Sequence, residues 1–190
     1  MTTLSFDPES HSYKLDGRRL ISVTQVLKSA GIIDTSWYTD WAAERGSAVH
    51  KAIQLESAGE LDEDSVDFNV QPYLEAYRKF RLEKGWHPVA TELMVVDRVY
   101  EYAGTLDALG MMKDRMTIVD YKTGPLAAPV GLQLSAYALG VKAYQGKAVT
   151  NLVGVQLKPD GTYKMKRYPF EPLVFRAALK VAQWKAERMS

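Results

Sequence analysis

The chain has 190 residues, 24 Lys and Arg against 23 Asp and Glu, a net charge of +1, and 46% hydrophobic content. That length and balance fit one globular domain able to bury roughly 70% of its unfolded surface, and near-neutrality leaves a polyanionic partner open, because a local basic groove can serve one. Zero cysteines exclude disulfides, thiolate zinc sites and chain-ligated iron–sulfur clusters.

No stretch approaches about 18 consecutive apolar residues, so no membrane span is expected. The opening "MTTLSFDPES" lacks the basic and apolar regions of a signal peptide, and a cytoplasmic protein is the expectation. The run "LSFDPESHSYKLDGRRLISV" alternates between turn residues, as a small β-hairpin does. "SVTQVLKSAG" reads as a short helix capped by Ser22 or Thr24 and stopped by Gly31. A second helix is expected over about 37–58 and a third over about 65–84, ending at Gly85. The acidic run "ELDEDSVD" fits the start of the third, where carboxylates suit the helix dipole.

Three strand-like runs follow, "TELMVVD", "EYAGTLDALGMM" and "RMTIVDYKT". After "GPLAAP", Leu132, Tyr137, Leu139 and Val141 carry helical spacing over 130–144. "NLVGVQLKPDGTYKMKRYPF" is a hairpin turning at "KPDGT", and a final helix covers about 171–188. The expected fold is α/β, a central mixed sheet flanked by helices. It divides into an N-terminal hairpin (1–21), a helical part (22–88) and a catalytic sheet core (89–190) within a single domain, 1–190.

"TIVDYKTG" poses the functional question, because Asp120 and Lys122 sit two apart, on one face of a strand otherwise suited to burial. A hairpin turning at Lys113-Asp114 pairs residues whose numbers sum to 227, which sets Asp107 opposite Asp120. Two facing carboxylates repel unless a cation lies between them, and oxygen donors with room for water suit Mg²⁺ or Mn²⁺. The same alternation turns Leu106, Ala108, Val119 and Tyr121 to the other side. The competing reading is a solvent face with Lys122 as a surface ion pair. Gln133 and Tyr137 are four apart and share a helix face, either as a half-polar packing stripe or as groups that steady a phosphate. Trp37, Tyr38 and Trp41 form an aromatic cluster on the second helix; stacking on bases is open to them, but burial of at least two is expected.

In order and spacing, "AGTLDALG", "IVDYKTG" and "LQLSAYALG", with "ISVTQVL" and "ERGSAVHKAI" upstream, resemble the RecB-like branch of the PD-(D/E)XK nuclease superfamily, notably its small phage-type and mitochondrial exonucleases. The resemblance implies a restriction-endonuclease-like fold and a Mg²⁺- or Mn²⁺-dependent deoxyribonuclease. It implies an exonuclease on single-stranded DNA or duplex ends, with a structure-specific or flap endonuclease and a silent DNA-binding protein as alternatives. It implies Asp107, Asp120 and Lys122 as catalytic residues, supported by Gln133, Tyr137 and Glu92. The metal ligands implied are His50, Asp107, Asp120 and the carbonyl of Tyr121. Arg45, Ser22, Thr24 and Trp37 are candidate substrate contacts. Unlike relatives with four cysteines, this chain has no iron–sulfur cluster to hold. It also lacks a "GxxxxGK[ST]" loop, so any unwinding falls to a helicase or recombination partner. A phage-encoded role in DNA recombination or repair fits the expectation.

Overall fold

The structure is a computed structural model and describes residues 3–7, 10, 12–34 and 39–189. Strands β1 (Leu4–Asp7), β2 (Ser12–Leu15) and β3 (Arg18–Ser22) lead into helices α1 (Val23–Ser29), α2 (Asp40–Ala58) and α3 (Gln71–Lys84). Then come β4 (Trp86–Asp97), β5 (Tyr102–Met112), β6 (Arg115–Lys122), α4 (Pro129–Gln145), β7 (Asn151–Leu157), β8 (Tyr163–Tyr168) and α5 (Pro172–Arg188). The expected mixed sheet flanked by helices is present, in the order β1-β2-β3-β5-β6-β7-β8 with β4 also paired to β5. No described helix is long and apolar enough to cross a membrane.

Two cores sandwich the sheet. One packs α1, α4 and α5 around Leu106, Leu109, Ile118 and Leu152. The other packs α2 and α3 around Ala108, Val119, Tyr121, Val153 and Val155. On β6 and β7 alternate residues enter opposite cores, the period-2 pattern of a strand buried on both sides.

Several boundaries differ from the sequence reading. The N-terminal run makes a three-stranded meander, not one hairpin, because Asp16 and Gly17 both take positive φ and form a tight second turn. The acidic run is a short 3-10 turn at Glu63–Ser65; α3 starts only at Gln71, next to the proline that occupies its first turn. β4 begins at Trp86 rather than at Thr91, and His87, expected in a turn, pairs with Met111. The ladder accommodates Pro88 with a register shift between Pro88 and Ala90. His11 and Tyr38 lie outside the described residues.

The acids of the 3-10 turn serve a tertiary contact. Arg78 on α3 donates from Nε and Nη2 to both oxygens of Glu56 on α2, at 3.0 and 2.7 Å, and also reaches Glu63. The hydrogen bonds from Arg78 hold the Glu56 carboxyl below its ordinary range, burial opposing them. A depressed folded-state pKa gives stabilisation that is full above the unfolded pKa and lost as pH falls through the folded one. Glu56→Gln is therefore expected to cost about 1 kcal/mol at neutral pH. Denaturant melts of the two proteins should converge as the pH drops below the acidic range in which Glu56 titrates.

Candidate active site at a split between two strands

β5 changes neighbours along one edge. Its C-terminal half pairs with β6, from Met112–Arg115 to Ala108–Val119, each pair summing to 227 as the hairpin register requires. At the other end Tyr102 and Ala103 pair with Ile21 and Ser22 of β3. Between them, among the described residues, 104–107 have no strand partner on that edge. The expected direct opposition of Asp107 and Asp120 is therefore corrected: the ladder stops one pair short. The expectation that Leu106 shares a side with Ala108, Val119 and Tyr121 also fails, since Leu106 lies in the α4 core and the other three in the α2–α3 core. A two-residue alternation cannot be extrapolated through the point where the strand leaves its ladder.

The split leaves the backbone of Tyr121 without a partner on β5, although the residue stays in register with Val155 of β7, and side chains fill the β5 side. Tyr121 N–H donates to Asp107 Oδ2 at 2.7 Å, and His50 Nε2 lies 3.0 Å from the Tyr121 carbonyl oxygen. The Tyr121 ring anchors this point: it is buried, its hydroxyl accepts from Trp86 Nε1 at 2.9 Å, and Tyr77 meets it edge-on at 5.4 Å. Val49, Ala52 and Ile53 form the buried stripe of α2, and His50, beside Val49, leans from the edge of that stripe towards β6.

A carbonyl only accepts, so the contact assigns the proton of His50 to Nε2. Nδ1 then faces Asp107 Oδ1 and Glu92 Oε1, each at 3.7 Å. Burial opposes a charged imidazole, but Asp107 and then Glu92 outweigh it and raise the His50 pKa to about 9. A proton is one way to relieve three acceptors that face one another; a divalent cation is another. Donor atoms of His50, Glu92 and Asp107 all lie within 4.8 Å of one another, and one imidazole with two carboxylates fits Mg²⁺ or, better, Mn²⁺.

Glu92 reaches this cluster through a strained backbone. Its φ is 49° inside β4, and the ladder to β5 runs from Thr91–Ala108 to Leu93–Leu106 without it. Left-handed conformation in a non-glycine residue costs about 1–2 kcal/mol, and here it aims a carboxylate at His50.

Asp120 lies just outside that trio. Its side chain is 1% exposed and its oxygens sit 2.8 and 2.7 Å from Lys122 Nζ. Burial pushes its carboxyl above the ordinary range, Lys122 pulls the other way and Asp107 adds a further push. Beside the pair on α4, Gln133 Nε2 donates to Tyr137 Oη at 3.0 Å, which leaves the phenol its own proton. Tyr137 packs against the unpaired segment of β5 because residue 104 is glycine: a Cβ there would meet Tyr137 Cε1 at 2.8 Å.

The remaining candidates are placed as follows. Ser22 is the cap of α1, accepting from Gln25 N at 3.1 Å while Gln25 Oε1 accepts from Ser22 N at 3.0 Å; Thr24, exposed, is not the cap. Arg45 stacks over Trp41 at 4.3 Å and Tyr73 at 5.7 Å, with its buried Nε lacking a hydrogen-bond partner. Trp41 is 62% exposed and so not a core residue. Trp37 lies outside the described residues.

Residues 67–190 match the PD-(D/E)XK nuclease superfamily, and the chain belongs to that superfamily, a class of phosphodiester hydrolases. Among solved structures, a candidate exonuclease of Eubacterium rectale is similar over 90% of this chain and 79% of its own, with 10% identity and a TM-score of 0.55, a likeness of fold. The alkaline exonuclease of Laribacter hongkongensis aligns over 90% and 87%, with 12% identity and a TM-score of 0.49. The same enzyme in complex with dAMP aligns over 88% and 87%, with 13% identity and a TM-score of 0.45. A search of curated proteins returns no match.

Two measurements check the site. Mn²⁺ at about 100 times its dissociation constant should stabilise the protein by about 2.7 kcal/mol, raising its melting temperature, and Asp107→Asn should abolish that rise. Glu92→Gly and Glu92→Ala should both lose much of the Mn²⁺ effect, but without metal the glycine variant should be the more stable by about 1 kcal/mol, since only glycine takes the left-handed backbone freely.

Proposed function

We propose that residues 1–190 form a single nuclease domain that hydrolyses phosphodiester bonds in DNA with Mg²⁺ or Mn²⁺, acting as an exonuclease on single strands or duplex ends. The observation that carries this reading is the convergence of His50, Glu92 and Asp107 beside the Asp120–Lys122 pair at one strand split. Superfamily membership supports hydrolysis of a nucleic acid. The preference for an exonuclease over a flap endonuclease rests on the resemblance of the five sequence blocks to small exonucleases.

Asp107, Glu92 and His50 Nδ1 would hold the cation, whose chemistry when bound is to polarise the phosphate and acidify water. Asp120, also expected among the ligands, stands beside this trio with its carboxylate paired to Lys122. The Tyr121 carbonyl, also expected as a ligand, orients His50 and so keeps its Nδ1 lone pair aimed at the carboxylates. Lys122 is half-buried beside Asp120 and brings a fixed positive charge to the place where a phosphate oxygen gains negative charge, which is worth most when water is excluded. Asp120 positions that ammonium and can take a proton from the attacking water, its raised pKa suiting it to the task. Tyr137, oriented by Gln133, offers its hydroxyl proton to a phosphate oxygen. Arg45 can present its guanidinium to a terminal phosphate.

The decisive assay incubates labelled single-stranded and duplex DNA with the protein in Mg²⁺, Mn²⁺ or EDTA. Metal-dependent release of mononucleotides or short ladders is expected from the wild type. Lys122→Ala is expected to lose at least about 100-fold in rate with an unchanged circular dichroism spectrum. A near wild-type rate from that variant would defeat the assignment of Lys122. Discrete fragments would point to an endonuclease, and a mobility shift without cleavage to a DNA-binding protein.

A further inference from the structure

The sheet carries the site's register outward to its edge. Lys122 pairs with Gln156, which pairs with Lys164; Asp120 pairs with Gly154, which pairs with Lys166. Register partners share a face of the sheet. Lys122, Gln156 and Lys164 thus form one row across β6, β7 and β8, and Asp120, Gly154 and Lys166 the next, on the face that α4 covers. At about 4.8 Å per strand, Lys164 lies about 9.6 Å from Lys122 between Cα atoms. The first row opens progressively to solvent: Lys122 is 27% exposed, Gln156 intermediate and Lys164 exposed.

Beyond β6 the chemistry along these rows is one-sided. β8 reads Tyr-Lys-Met-Lys-Arg-Tyr and neither it nor β7 contains an acid. Gly154 leaves its place in the second row to Tyr168, since a Cβ there would meet Tyr168 Cε2 at 2.9 Å and Leu126 Cδ2 at 3.0 Å. The Tyr168 hydroxyl donates to the Ala127 carbonyl at 2.9 Å, which ties β8 to the segment that follows Lys122. Lys166 Nζ sits 4.6 Å from the centre of the same ring, so this lysine is steered by an aromatic plane and, among the described residues, is not tied up by a carboxylate.

We infer that Lys164 and Lys166, with Gln156 between them and the catalytic lysine, form a phosphate-binding ledge that holds the nucleic-acid strand as it leaves the site. The inference rests on the nuclease reading of that site and deepens it by assigning where the rest of the substrate lies. Both lysines are positioning residues; neither reaches the reacting phosphate. Charged side chains on an edge strand also deter edge-to-edge pairing, a role that any charge fills. Reversal of sign therefore separates the two roles.

The test uses the full chain, a long single-stranded oligonucleotide and the double variant Lys164→Glu/Lys166→Glu. The ledge predicts a Michaelis constant raised by about tenfold or more with kcat within about twofold. It also predicts that in EDTA, where nothing turns over, the dependence of log binding constant on log salt loses about 1.4 of its slope, 0.7 per phosphate contact. Lys164→Arg/Lys166→Arg should behave as wild type in both measurements. A wild-type Michaelis constant and salt slope in the reversed variant would overturn the ledge and leave these lysines to edge protection. If the wild type cleaves no DNA in either metal the nuclease reading fails by itself, and the EDTA slope still decides the ledge.

Discussion

Everything at the site depends on how Tyr121 satisfies its backbone where β5 and β6 part. A buried peptide group left without a partner costs about 1–3 kcal/mol, and a split in a sheet creates such groups by construction. Here the N–H goes to the Asp107 carboxylate and the carbonyl to His50. The two side chains that mend the sheet are also two of the three that converge on the candidate cation position. Folding and site assembly are therefore one event: the split cannot be filled without delivering a carboxylate and an imidazole to it.

That economy has an electrostatic cost. Asp107, Asp120 and Glu92 gather near one imidazole, and among the described residues only Lys122 supplies a permanent positive charge among them. Burial is the main upward push on Asp120, with Asp107 adding to it, whereas at His50 burial is outweighed by Asp107 and Glu92; Asp107 is the contributor common to both. Perturbations of this kind concentrate where chemistry is done. The left-handed backbone of Glu92 is a second local departure from what favours stability, and it lies in the same cluster. Both are the kind of violation that a fold sustains only where its surroundings hold it in place; the two buried cores on either side of the sheet do so.

Much of this was legible in the residues. The hairpin tip at Lys113-Asp114 and the sum of 227 were readable because a two-residue connection fixes register, and five observed pairs obey it. The helix end at Gly85 was marked by a glycine that adopts the left-handed cap. What could not be read was the point at which the ladder stops. Nothing local in "GTLDALG" announces that β6 leaves β5 after Ala108, because the competing partner, β3, comes from more than eighty residues earlier. The divergence then undid two local extrapolations, the side on which Leu106 lies and the direct opposition of the aspartates. Glu92 was named without a settled role for a related reason: a positive φ in a glutamate has no sequence signature, although it decides where the carboxylate points.

The two cores also explain why the site residues are so dispersed in sequence. His50 arrives on a helix of the α2–α3 core, Tyr137 and Gln133 on a helix of the α4 core, and Asp107 and Asp120 on strands between them. Neither layer alone holds both the acceptor trio and the α4 groups. A substitution that loosens either core should shift the relative placement of these groups before it unfolds the sheet, since cores repack discretely and do not deform smoothly. Gly104 makes the coupling tangible. A Cβ there would meet both the Tyr137 ring and Val23 of α1, so the edge of β5 that β6 leaves packs closely against a side chain of the candidate site and against a second helix at once.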